Sequence, residues 1–432
     1  MVSPSPASDE AALRAAPTLA TPAPTPAAPA RAAALIAVLG ALTAVAPLAT
    51  DMYVPGLPSM SAALHASGSA VQLTLTAFLV GMVVGQLLIG PVSDGRGRRG
   101  LLLAGTAGFV LFSVLCAAAP TVELLTAARF LQGFAGAAGM VLARAVITDR
   151  FHGADVPRYF ALLSQILGIA PIVAPVIGGA VLSLSTWRAV FGVLAVLGAA
   201  LLFAVVRTVP ETLPPERRHT GGLTGTFRTM GTLLGHRAFM GYVLVLGFTS
   251  AALFAYISGS SFVFQNVHGV SATGYSLIFA SNAVGMLIAG FAFARFSVRV
   301  RLNTLLTAGL ALSGAGAVAL LVLPALTGTH LAVTWICLFV TVSGVALIFP
   351  ATMSIGQNLG RSAPGAASAL IGGLQFLFGA VASPLVGLFG EGTATPMAVI
   401  VLAALGAAAV CLVVLARPWQ AHGEVHPGPG TR

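Results

Sequence analysis

The chain of 432 residues is 57% hydrophobic and only 7% charged, with a mean hydropathy of +0.97. Soluble domains carry about 25% charged residues, so an ordinary soluble protein is excluded and a polytopic membrane protein is implied. The net charge of +10 does not point to nucleic acid, because the 21 basic residues, all arginine, sit between apolar runs and not on one face.

Residues 1–31 form an Ala/Pro/Ser/Thr tract with too little branched apolar surface to bury, and are expected to be a disordered tail. No signal peptide is read there, since the first apolar run begins only after Arg31. Twelve runs follow, each long enough to cross a hydrocarbon core at about 1.5 Å rise per residue. They cover 33–55, 70–91, 101–119, 122–144, 159–183, 187–207, 238–259, 272–293, 303–324, 330–350, 366–389 and 394–416. The polar segment 208–237, rich in proline and arginine, divides them six and six. The expected organisation is an all-α integral membrane protein: a tail (1–31), a six-helix half (32–207), a linker (208–237), a second six-helix half (238–416) and a tail (417–432). On these boundaries nineteen of the 21 arginines fall on one side, the exceptions being Arg129 and Arg188. Short arginine-rich loops are retained inside, which places both termini in the cytoplasm and the chain in the plasma (inner) membrane.

Gly90-Pro91-Val92-Ser93-Asp94-Gly95-Arg96-Gly97-Arg98-Arg99 is expected to be a short hydrophilic loop between the second and third spans. It is too lacking in Lys-Ser or Lys-Thr after its glycines to bind phosphate as a P-loop. The halves also carry a faint repeat: Ala174-Pro175-x-x-Gly178 recurs as Ser383-Pro384-x-x-Gly387, and Gly90-x-x-x-Asp94 has its counterpart in Gly290-x-x-x-Ala294. Two six-span halves related by a parallel repeat suit a transporter with its site between them near the midplane.

A charge inside a span costs about 2.5–3.5 kcal/mol on insertion scales, so Asp51 and Arg129, the two that lie within spans, need a reason. Both fall within about 5–12 Å of the outer boundary, and they either pair or share a water-filled cavity. Asp51 reads as a marker of the helix end or as a proton-carrying carboxylate. Arg129 reads as half of a static ion pair or as a group that switches partners, with Gln132 one turn away as a companion. Pro171, Pro175, Gly178 and Gly179 bend the fifth span and allow close approach, for tight packing or for gating. Arg144 and Asp149, at the end of the fourth span, either tie to Asp94 or are simply solvated. Cys116, Cys337 and Cys411 read as small apolar residues, and His422-Gly423-Glu424-Val425-His426 as solvated tail, so no metal site is expected. No HExxH, GxSxG or Walker pattern occurs.

The Gly90–Arg99 stretch resembles the loop signature between the second and third spans of the major facilitator superfamily. Leu48-Ala49-Thr50-Asp51-Met52-Tyr53-Val54-Pro55, Gln72-Leu73-Thr74-Leu75, Arg129-Phe130-Leu131-Gln132-Gly133, Ala174-Pro175-x-x-Gly178-Gly179 and Gly365-Ala366-Ala367-Ser368-Ala369-Leu370 together resemble its Bcr/CflA drug:proton antiporters. The resemblance covers about residues 35–415, although Ala174 stands where the family usually has glycine. It implies export of small amphipathic drugs, phenicol- or bicyclomycin-like, by alternating access and driven by the proton gradient without a cofactor. It further implies proton coupling at Asp51 and Arg129 and a substrate cavity at Tyr53, Gln132, Gln165, Asn282 and Gln375. Gating would fall to Gly90, Asp94, Arg98, Arg99, Arg144, Pro171, Pro175, Gly178 and Gly179, with Asp94 locking against the start of the eleventh span near Ser362–Ala366. The remaining expectations are a monomer whose partners are drug, proton and lipid, and a transporter rather than an enzyme. The rival is transport of a metabolite, such as a sugar or an amino-acid-like compound.

Overall fold

The computed structural model describes residues 29–151, 155–218, 223–361, 363–390 and 392–424. Most of the amino-terminal tail, Ser362 and His426 lie outside them. No strand occurs among the described residues, and twelve helices are long and apolar enough to cross a membrane. The chain runs through α1 (Pro29–Asp51), a short α2 (Leu57–Ala63), α3 (Gly68–Arg96), α4 (Arg98–Ala118), α5 (Val122–Arg150), α6 (Asp155–Leu184) and α7 (Trp187–Thr208). A further short helix, α8 (Leu223–Leu234), leads into α9 (Arg237–Phe262), α10 (Ala272–Phe296), α11 (Leu302–Thr327), α12 (Leu331–Leu359), α13 (Pro364–Leu388) and α14 (Thr395–Cys411). Outward-facing Val196, Phe203, Ile288, Phe291, Val381 and Val410 are exposed, as side chains meant for acyl chains must be.

Lipid tails are as apolar as leucine, so helices in a bilayer associate by close packing and not by escape from water. The crossing of α3 and α5 depends on this. A Cβ placed on Gly81 would strike the Phe130 carbonyl, and one on Gly133 the Phe78 carbonyl. The first six crossing helices meet the last six through α3 against α13 and α6 against α10. These are the second with the eleventh and the fifth with the eighth, two contacts that exchange under a six-span offset.

The seam between the two sets is not uniform. On the face away from the termini, side chains reach across to backbone. Thr76 Oγ1 donates to the Ala380 carbonyl at 2.8 Å, and the Gly387 N–H donates to Gln72 Oε1 at 2.9 Å. Gln72 Nε2 donates to the Ser258 carbonyl at 3.3 Å, and Gln265 Nε2 to the Pro55 carbonyl at 2.9 Å. Towards the termini face the sets part around a cavity of about 430 Å³.

Two expectations are corrected here. Gly90–Arg99 is not a loop: α3 runs through it to Arg96 and α4 starts at Arg98. Gly97 alone turns the chain, at φ +98° and with no room for a Cβ beside Glu211 Oε2. Apolar content marks where a helix leaves the hydrocarbon, and a helix continues into water wherever its polar residues find partners. The first span, in turn, stops short at Asp51, followed by the 3₁₀ turn Val54–Gly56. Pro55 has no N–H to return to the Asp51 carbonyl.

Gly133→Ala is therefore expected to cost about 1–3 kcal/mol through overpacking, lowering the melting temperature of the detergent-purified protein. Gly406→Ala, where nothing lies within 4 Å, should leave that temperature unchanged.

Candidate functional site

Both sets of helices line the cavity. Arg144 and Thr148 project from α5, and Phe160, Leu163 and Leu167 from α6, opposite Met353 and Gln357 of α12 and Ser368 of α13. Arg144 is exposed, and among the described residues it has no acidic partner, both ion pairs belonging to Arg98. Gln357 and Ser368 bond to each other, Gln357 Nε2 donating to Ser368 Oγ at 2.9 Å. Gln375 lies half-buried on α13, two turns from Ser368 and on the same side. Gln165 is exposed, about half a turn around α6 from Leu163 and Leu167, so it faces away from this cavity.

Asp51 lies at the sealed end, buried, and takes a hydrogen bond from the adjacent Thr50 hydroxyl at 3.0 Å. Three residues on, the Val54–Gly56 turn packs against α9 and α10 of the other set of helices. Tyr256 accepts from Asn282 Nδ2 at 3.0 Å and stacks on Phe279, while Tyr275 shares a hydrogen bond with Ser260 at 2.8 Å. Asn282 Oδ1 is buried without a hydrogen-bond partner.

No ion pair joins Asp51 to Arg129. The Arg129 side chain is fully buried and stacked among rings, its guanidinium carbon 4.3 Å from the Phe78 centroid, 4.4 Å from Tyr53 and 5.6 Å from Phe191. One of its nitrogens donates to the Ala49 carbonyl at 3.1 Å and to Gln132 Oε1 at 2.7 Å. Desolvated cation–π contacts are worth about 2 kcal/mol or more, which lets rings and carbonyls do the work expected of a carboxylate. Tyr53 and Gln132 are thereby corrected as cavity residues. Tyr53 is buried against Arg129 and Phe191, and Gln132 is buried between Arg129 and Ser113, to which its amide donates at 2.7 Å.

The termini face holds a third cluster. Asp94 pairs with Arg98 at 2.6 Å, and Arg98 also reaches Asp149 at 3.1 Å and the Ser93 hydroxyl. Arg98 thus ties Asp94 to Asp149, while Arg144 takes no part. Arg99 donates to the Val206 carbonyl at 3.2 Å. Among the described residues the ion-pair partner of Asp94 is Arg98, and no residue at the start of α13 is a partner. The cluster also contains a residue that sequence reasoning missed. Glu211 accepts the backbone N–H groups of Arg98 and Thr212 at 2.9 Å, of Leu213 at 3.0 Å and of Arg99 at 3.3 Å. Six spans later Glu424 accepts the Asn303 N–H at 2.7 Å, at the start of α11. An acid just beyond the sixth and the twelfth spans is the signal that would have found both. Of the other expected gating residues, Gly178 backs onto the Met52 carbonyl and Gly179 onto Ser276. Gly90 faces Val141, and α6 runs unbroken through Pro171 and Pro175.

Twelve crossing helices around a cavity shared by two six-helix sets define a membrane transporter. The sequence pattern of the Major Facilitator Superfamily matches residues 39–384, and the chain belongs to that family. It is 40% identical over 369 residues, 85% of this chain and 91% of the other, to an uncharacterized MFS-type transporter, YdgK, of Bacillus subtilis. It is 32% identical over 375 residues to a bicyclomycin resistance protein homolog of Haemophilus influenzae, covering 84% and 91%. To the multidrug resistance protein MdtL of Shigella dysenteriae it is 28% identical over 393 residues, covering 89% and 97%. Among solved structures, a D-xylose–proton symporter superposes with a TM-score of 0.71 at 16% identity, covering 88% of this chain and 96% of that one. An inward-facing bacterial homolog of the lysosomal transporter Spinster gives 0.68 at 17%, covering 92% and 98%. Fold and relatives alike are those of transporters and not of enzymes.

Two predictions follow from the geometry. Because Asp51 and Arg129 are held by separate partners, the stability losses of Asp51→Asn and Arg129→Ala should add to within about 0.5 kcal/mol, with no rescue in the double variant. Burial pushes the Glu211 carboxyl up, but the N–H groups of Leu213, Arg98, Arg99 and Thr212 outweigh it and hold the group below its ordinary 4.5. A depressed acid stabilises the fold above its unfolded value and loses that contribution as pH falls through the folded one. The melting-temperature advantage of wild type over Glu211→Gln should therefore be full near neutrality and shrink as pH drops below 4.5.

Proposed function

We propose that the chain is a proton-coupled exporter of small amphipathic drugs, working by alternating access as a monomer in the inner membrane. The observation that carries this reading is the pairing of a cavity on the termini side of the seam with a buried carboxylate, Asp51, at the sealed end, which has no ion-pair partner among the described residues. Short arginine-rich loops support a cytoplasmic termini face, and with that orientation the cavity suits the state in which an exporter loads. The names of the Haemophilus and Shigella relatives, bicyclomycin and multidrug resistance, agree with drug cargo.

Release requires the seal at Gln72, Thr76 and Gln265 to open and the cytoplasmic mouth to close. Asp51 lies three residues before the Val54–Gly56 turn that packs against α9 and α10, so the opening would change what surrounds its carboxylate. A neutral Asp51 fits the closed, dry seal, whereas a charged one favours access of water. Opening towards the outside then lets Asp51 take up a proton, and return to the inward state carries it across. Gly178 and Gly179, where α6 meets α1 and α10, give the sliding surface, with Pro171 and Pro175 setting the shape of α6. As the mouth closes, Asp94 approaches the amino-terminal end of α13, where a negative charge is favourable, with Arg98, Arg99 and Gly90 shaping that corner and Arg144 swinging towards α12.

In inside-out vesicles energised by respiration, addition of chloramphenicol should release protons that a fluorescent pH probe detects, and Asp51→Asn should abolish that release while inserting normally. Proton movement at wild-type level in Asp51→Asn removes Asp51 from the coupling step. Vesicles that accumulate a sugar or amino acid but no drug point instead to a metabolite carrier.

A further inference from the structure

Among the described residues Arg144 is the one charged group in the cavity wall, and none of them in the wall neutralises it. The ion-paired carboxylate of its own helix, Asp149, is already held by Arg98 and by the Thr212 hydroxyl at 3.0 Å, and Asp51 lies at the sealed end. Facing Arg144 from the other set of helices is the Gln357–Ser368 pair, half-buried and exposed respectively, whose side chains among the described residues bond to each other. Between these polar groups run the apolar side chains of Leu163, Leu167 and Met353.

Resting on the transport reading above, we infer that this cavity selects amphipathic cargo with an anionic end, the charge docking on Arg144 and the apolar body lying along α6 and α12. Guanidinium presents a planar fork that matches a carboxylate or sulfonate two bonds at a time. Low-dielectric walls strengthen that attraction and equally repel a cation. Gln357 and Ser368 supply hydrogen bonds to the cargo's other polar atoms and, because they come from the opposite set of helices, make the grip depend on both sides. An aliphatic ammonium, by contrast, would enter a cavity whose one fixed charge among the described residues has its own sign.

The test uses three fluorescent probes that share one ring system: dansylglycine, an anion; dansylglycinamide, its neutral counterpart; and N-dansylethylenediamine, a cation. Each is titrated into the full-length protein in phosphatidylcholine nanodiscs, with empty nanodiscs subtracted. Wild type is expected to bind the anion at least about tenfold more tightly than the amide and to bind the cation least. Arg144→Gln should erase the difference between anion and amide while leaving amide binding intact, and Arg144→Lys should keep part of it. Gln357→Ala should weaken anion and amide alike, a readout that holds even if one arginine variant fails to fold. Equal affinity for all three probes, a preference for the cation, or an Arg144→Gln variant that keeps the anion preference overturns the inference. So does loss of dansylglycine binding in phosphatidylglycerol nanodiscs, because a lipid headgroup then claims Arg144. None of these readings involves protons, so failure here leaves proton-coupled export standing, and uncoupled transport leaves the anion site standing.

Discussion

Hydrogen bonds from side chains to backbone carbonyls across one end of the seam hold the two sets of helices in their present arrangement. Each bond contributes about 0.5–1.5 kcal/mol net, so the few at Gln72, Thr76 and Gln265 amount to a modest sum. That magnitude suits a switch, since about 1.4 kcal/mol changes a population ratio tenfold. A seam fused by interlocked leucines would be too stable to part, and one with no polar contacts would not choose an end to close. The cavity is the other half of this arrangement: where the side-chain bonds stop, the helices separate.

The two buried charges are treated in opposite ways. Arg129 is enclosed by three rings, a carbonyl and an amide, all from the first set of helices, so its environment travels with it when the sets move. Asp51 lies at the boundary, three residues before the Val54–Gly56 turn that packs against the far set. The same movement that leaves Arg129 undisturbed therefore changes what surrounds Asp51. Only the second arrangement links charge to conformation.

Much of this was legible in the sequence, because hydropathy reports on lipid contact directly. All twelve crossing helices lie where apolar runs placed them, and a short turn rich in arginine lies where the Gly90–Arg99 stretch indicated. What escaped had a common cause. Phe78 and Phe191 are ordinary apolar residues until folding brings them around Arg129, so spacing alone suggested the nearest acid as its partner. The family resemblance assigns Tyr53 and Gln132 to the cavity, yet a side chain on a packed helix turns towards whichever neighbour satisfies it. Helix ends were misplaced at Arg96 and Asp51 because the first depends on polar partners beyond the membrane and the second on a missing proline N–H.

Glu211 and Glu424 each reach back from beyond the last helix of a six-helix set to the first turn of its third helix, α4 or α11. Each set is in this way buckled on itself, without help from the other. The connection through α8 then acts as a tether and contributes to neither buckle. A backbone cut between Arg218 and Leu223 would leave two pieces, each buckled on itself, that meet at the seam and where α8 touches α3. Joined or severed, they would meet through the same surface, so the chain behaves as a dimer of unlike halves that happens to be made in one piece.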